Sequence, residues 1–346
     1  MDNQNKENQV VQKKQNRFVE VWKRLVKSPF AVAGMIILGL MLLLAASSNF
    51  IAPAGDGMPG YNQQRRGPAN TRQMPSIERA FNTPEGEGFF ENFSRHIMGT
   101  DDVGRGVFAR IAHGAQISLS VAIVVILIGL SVGGTIGAIA GYYSGVVDNV
   151  FMRLIDILLA LPNILLAIAI IGAIGSGLMP VMVAVGIGAI PLYARTVRAQ
   201  VIINKEQEFV EAAHASGASN FRIVTRHILP NCMSPVIVEA SMGMAGAILA
   251  AAGLSFIGLG LQPPQPEWGA MLSAGRGDLL AGYWHLTLFP GLMIALIIFA
   301  FNMIGDGLRD ALDPKLRSGS ISKRKFLRLQ KARAEQMMHD LREGEV

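Results

Sequence analysis

Six histidines, one cysteine and a few isolated acids are the residues best equipped for chemistry in this 346-residue chain. His96, His113, His214, His227, His285 and His339 show no metal-ligand spacing, and the single Cys232 excludes an internal disulfide. No His or Ser cluster supplies a catalytic constellation. No G-x-x-x-x-G-K-[ST] loop is available to hold nucleotide phosphates, and Gly133 to Gly137, although Gly-rich, lacks a Lys and sits in an apolar run.

The informative spacing lies elsewhere. Glu206 to Ser216 reads as a short helix with acids in its first turns, where negative charge complements the helix dipole. Ala212, Ala213 and Ala215 leave one surface of it smooth, so that a groove of another protein can approach the backbone. Gly217 is placed to end the helix in the left-handed conformation, and Phe221 to His227 form a second, basic helix before Pro230 opens the next span. On physics alone a plain helix-turn-helix connection fits as well.

A second segment runs from Met98 to Leu119. Thr100, Asp101 and Asp102 supply capping side chains, and Val103, Val107, Phe108 and Ile111 form an apolar stripe, which describes a helix at the outer membrane surface or a mere elbow. Glu239 is the one carboxylate inside an apolar run. It faces a cavity or a helix partner, or it is solvated near the interface.

These segments must be positioned by membrane helices. At 51% hydrophobic and 16% charged residues, the chain has too little polar surface to coat a soluble globule of its size. Its 38 glycines and 17 methionines against 7% aromatics favour closely packed helices over a barrel. The net charge of +6 does not point to nucleic acid, because the basic residues are neither clustered in one motif nor interleaved with aromatics.

Apolar runs cover Phe30 to Ile51, Ile117 to Ala140, Ile157 to Ala194, Ser234 to Gly258 and Tyr283 to Ile304. A span needs about 20 residues, so the third run must fold back. Gly172, Gly175, Ser176, Gly177 and Pro180 mark the turn. The third span then begins near Val150, with Arg153 and Asp156 paired at i, i+3, and a fourth runs from about Pro180 to Ala199.

Six spans result, and the charges agree with that count. Of 31 Lys and Arg, 22 fall in three segments that six spans place on the cytoplasmic side: the tail to Pro29, Arg195 to Pro230, and the tail after Ile304. The expected organisation is an all-α integral membrane protein with both termini cytoplasmic. It comprises a polar tail over 1–29, a first span over 30–51, an outer segment over 52–114, a five-helix core over 115–305 containing the cytoplasmic loop 200–231, and a basic tail over 306–346. The first 16 residues are expected to be disordered.

Glu211, Ala212, Ala213, Gly217, Leu229 and Pro230 match the cytoplasmic signature of ATP-binding-cassette importer permeases. Arg226, His227 and Asn231 resemble its peptide-importer branch. Gly99, Thr100, Asp101, Asp102, Val103, Gly104 and Arg105, with LSFIGLGLQPPQPEWGAML from Leu254 and the stretch from Pro290 to Pro314, are similar to the dipeptide, oligopeptide and nickel permease family, in its C-type subunit. Ala251 departs from that pattern, standing where many relatives have an acid.

The resemblance implies the type I importer permease fold in the inner membrane of a prokaryote. It also implies a second homologous permease, two ATPase subunits that hold ATP and Mg, and an extracytoplasmic binding protein, with no cofactor on this chain. Glu208, Glu211, Ala212, Ala213, Ser216, Gly217, Leu229 and Pro230 would be the ATPase-coupling set. Peptides are the first expected substrate and nickel chelates the second. A secondary transporter would need more intramembrane charge than Glu239 provides, and a channel would need filter-like rings or carbonyl loops.

Overall fold

Apolar residues in unbroken helical runs leave the backbone of this chain one way to satisfy itself in lipid, and the computed structural model is helical almost throughout. It describes residues 17–52, 59–64, 67, 70–84 and 88–313. The expected disordered tail over 1–16 and the basic stretch beyond Asp313 lie outside the described residues.

A short helix, α1 (Arg17–Leu25), precedes the first long one, α2 (Pro29–Ile51), which Ser28 caps by accepting from the Ala31 amide at 3.4 Å. Outside the bundle follow α3 (Ile77–Phe81) and α4 (Phe89–His96). The second long helix is α5 (Val107–Ile128), a π turn over Gly129–Gly133, and α6 (Gly134–Tyr143). The chain then reverses at Ser144, φ +53°, into α7 (Gly145–Ala160).

From α7 the chain bends by 89° into α8 (Asn163–Ile174). Beyond the glycine turn comes α9 (Leu178–Lys205), then α10 (Glu208–Ala215), α11 (Asn220–Arg222) and a π segment Ile223–Ile228, which runs directly into α12 (Leu229–Phe256). The bundle is closed by α13 (Trp268–Leu279) and α14 (His285–Leu312). Five helices are long and apolar enough to cross a membrane, and the bent pair α7–α8 makes up to six.

The third expected span is therefore not one straight helix. Pro162 has no N–H to continue the ladder and disfavours helical geometry at Leu161, so α7 stops at Ala160. The turn after α8 is where the glycines put it, with Gly175 and Gly177 at positive φ.

Small residues let the helices touch. Gly133, Gly137 and Gly141 recur every fourth residue along the face of α5–α6 that meets α9. A Cβ on any of them would come within 3.0 Å of a carbonyl oxygen of Ile190, Ala194 or Arg198. One cluster of the core gathers Ile111, Ala115, Ile248, Trp268, Ile297 and Phe301 from α5, α12, α13 and α14. A second cluster joins α5, α8, α9 and α12 through Val125, Ile171, Val181 and Leu254.

Candidate functional site

One end of the bundle carries α10, held by two apolar pins. Val210 and Ala213 are buried against Val197, Val201, Ile223, Ile228, Cys232 and Val236. With 100° between successive residues, Glu208, Glu211, Ala212 and Ala215 occupy the opposite side, and all four are exposed. The smooth surface expected from three alanines is thus half right. Ala213 packs inward on its own chain, while Ala212 and Ala215 face out between two acids.

Gly217 ends α10 with φ +74°. Its amide donates to the His214 carbonyl at 2.9 Å and the Ala218 amide to the Ala213 carbonyl at 3.1 Å, the paired closure of a Schellman motif. Ser216 is exposed and returns its hydroxyl to the Ala212 carbonyl at 2.8 Å. Leu229 packs on the cluster beneath α10, whereas Pro230 is exposed at the start of α12.

Polar ties brace the loop from behind. The Tyr142 hydroxyl donates to Asn220 Oδ1 at 2.9 Å and lies 3.4 Å from His214 Nε2, and Lys205 Nζ donates to Ser144 Oγ at 2.7 Å. Sequence reasoning missed this bracing. Its only signal was a Tyr pair and a Lys at the ends of two apolar runs.

At the other end, Gly99 to Arg105 forms a closed turn. Asp101 accepts from the amides of Val103 at 3.1 Å and Arg105 at 2.9 Å and from Arg105 Nε at 2.6 Å, and Arg110 Nε lies 3.8 Å away. Gly99 and Gly104 take positive φ within it. Thr100 is buried, donating to the Asn70 carbonyl at 2.7 Å and accepting from the Gln73 amide at 2.9 Å. Asp102 is more exposed and 3.8 Å from Arg105.

Two expectations are corrected here. Gly106 takes the cap position of α5 without a side-chain bond, so Thr100, Asp101 and Asp102 shape their own turn and do not cap the helix. There is also no separate surface helix: α5 starts at Val107, and Val107 and residues 109–115 are buried as it runs on into the second span. Of the stripe read as lying at the membrane surface, Val107 and Ile111 are core, while Val103 and Phe108 are half-buried.

The turn is fastened to the far end of the chain. Arg72 Nε pairs with Asp278 at 2.9 Å, His285 Nε2 lies 3.3 Å from the Thr100 carbonyl, and the Trp268 indole donates to the Ile111 carbonyl at 3.1 Å. Glu267 caps α13 by accepting from the Gly269 and Ala270 amides at 2.9 and 2.8 Å. Its burial pushes the carboxyl above its ordinary range despite those bonds and the Ser255 hydroxyl.

Glu239 is half-buried on α12, one turn before Gly243, where the buried and unpartnered Tyr193 hydroxyl abuts the backbone. The expected Arg153–Asp156 pair is not formed. Asp156 instead pairs with Arg195 of α9 at 2.7 Å, and Asp148 takes two bonds of 2.5 Å from Arg198. An ion pair across helices was invisible to spacing along one helix.

A bundle of apolar spans with a small braced helix at one end and a charge-fastened turn at the other defines a helical integral membrane protein. Residues 133–318 match the family described as binding-protein-dependent transport system inner membrane component, and residues 16–74 match the N-terminal TM domain of oligopeptide transport permease C. The chain belongs to this family of ATP-binding-cassette importer permeases, and is a subunit of the inner membrane.

It is 43% identical over 299 residues to the dipeptide transport system permease protein DppC of Alkalihalophilus pseudofirmus, covering 86% of this chain and 90% of that one. It is 40% identical over 300 residues to the glutathione transport system permease protein GsiD of Pectobacterium atrosepticum, covering 86% and 91%. A solved chain of the inward-facing MetNI methionine ABC transporter aligns at 18% identity and TM-score 0.49, covering 59% of this chain and 96% of that one.

Proposed function

We propose that this chain forms half of a peptide translocation pathway, pairing with a second, homologous permease and receiving substrate from an extracytoplasmic binding protein. Two separate ATPase subunits bind ATP and Mg and drive it, and the chain itself catalyses no reaction. Six spans with both termini cytoplasmic put the segment from Ala52 to Arg110 outside and α10 inside. The dipeptide and glutathione permeases among its relatives favour peptides over nickel chelates.

The observation that carries the reading is α10 itself. Its exposed face offers Glu208, Glu211, Ala212 and Ala215 on a helix that Val210, Ala213 and the Schellman closure hold rigid. A motor must transmit roughly 5.5 kcal/mol of differential binding to move a two-state pathway from mostly one side to mostly the other, and a floppy handle would dissipate it. The test is Ala212→Trp in the assembled transporter. ATPase association and uptake should both fall at least ten-fold while the melting temperature of the subunit stays unchanged. Full association with normal uptake would place the motor contact elsewhere.

A further inference from the structure

A charged pair stands at an unusual depth. Ile155 of α7, 1% exposed, packs on Ile190 and Ala194 of α9, and Asp156 bonds Arg195, so the pair lies between about 18 and 26 Å along α9 from its end at Leu178. Against a hydrocarbon core of about 30 Å, that level lies in the half of the bilayer nearer α10 and short of its boundary. Yet the side chains of Asp156 and Arg195 remain 49% and 57% exposed on this chain. Such charges do not face lipid; they face water, protein or a passing solute.

The backbone next to the pair gives a second, independent reason. The helix α7 ends at Ala160, leaving its last carbonyls without intrahelical partners, and Pro162 brings no N–H. Residues 159–165 are exposed through the break, among them Leu161 at 49% and Leu165 at 56%. Irregular backbone at membrane depth is tolerated only where protein covers it or a water-filled cavity lies beside it.

We propose that the Asp156–Arg195 pair and the break at 160–163 line the translocation path and form a contact for a zwitterionic solute, whose carboxylate meets Arg195 and whose ammonium meets Asp156. The inference rests on the reading of the chain as a peptide permease and names where in it the peptide's charged ends are met. A paired anion and cation are mutually neutral between passages, which lowers the cost of keeping them at that depth. The pair opens only to a ligand that replaces both partners at once.

Two measurements on the complete transporter in vesicles test it. With Cys232→Ala as background, Asp156→Cys and Leu161→Cys should react with an anionic, membrane-impermeant methanethiosulfonate at least ten-fold faster than Leu40→Cys on the exposed side of α2. Rates as slow as that of Leu40→Cys would mean the face is covered by lipid or by the partner permease and would overturn the proposal. Arg195→Gln and Asp156→Asn should each lower dipeptide uptake at least ten-fold with ATPase association and basal hydrolysis retained.

The exchange Asp156→Arg with Arg195→Asp rebuilds the ion pair with its polarity reversed. Uptake should stay at least ten-fold down in the exchanged protein, whereas recovery to the unaltered level would show a merely structural tie and sink the idea. Failure of the peptide-permease reading would show separately, as an absence of dipeptide uptake in the unaltered complex.

Discussion

The outer turn from Gly99 to Arg105 and the inner loop from Glu206 to Asn231 fasten themselves to the same bundle by opposite means. The outer turn uses charge and hydrogen bonds, from Asp101 to Arg110 and from Thr100 to His285, beside the long-range Arg72–Asp278 pair. The inner loop is pinned chiefly by apolar side chains, with its carboxylates left on the outside. A segment whose polar groups are spent on its own scaffold is built to hold still. One that keeps them free leaves them available to a partner.

The sharpest way to break the contrast is Asp101→Asn. It leaves Arg110, with its side chain 6% exposed, without its paired anion, and Arg105, 10% exposed, with only Asp102 at 3.8 Å. Removing one partner of so buried a group costs about 3 to 5 kcal/mol, and thermal melting in detergent should show the loss. An equal loss from Glu211→Gln in the same assay would erase the distinction between the two ends.

Ala213→Trp comes next. Because Ala213 packs inward, the substitution should overpack the cluster beneath α10 by about 1 to 3 kcal/mol and lower the melting temperature. Ala212→Trp one residue earlier should leave melting alone. Identical melting of the two variants would show that α10 is not pinned as described.

Gly217 sharpens the inner half of the comparison. At φ +74° a side chain is strained, and nothing crowds the site, so the cost is conformational: about 1 kcal/mol for Ala and more for β-branched Val. Melting of Gly217→Ala and Gly217→Val should fall in that order. Glu211→Gln is the smallest change expected, about 0.3 to 1 kcal/mol through the helix dipole, with any larger effect confined to motor association measured by pull-down.

Much of this was legible in the sequence. Apolar run length marks the five long helices, the glycine turn after α8 lies where its residues demand, and Gly217 adopts the conformation its position implies. What escaped has physical causes. Alanine is equally at home buried or exposed, so three alanines mark a helix face without saying that Ala213 turns inward. Thr and Asp cap helices and close turns by the same hydrogen bonds, so Asp101 gave no sign of which it would do. Arg153 and Arg195 stand on different helices at comparable reach of Asp156, and only the packing of Ile155 on Ile190 decides between them.

The glycine face between α6 and α9 has a mechanical consequence. Backbones meshed at every fourth residue cannot creep past each other by small amounts; the next matching register is about 6 Å away. The two helices therefore form one strut, and because α9 ends only a few residues before α10 begins, a push on α10 would be delivered along it with little slack. Were α10 pushed in this way, motion at the far side of the membrane would come from the strut tilting as a lever.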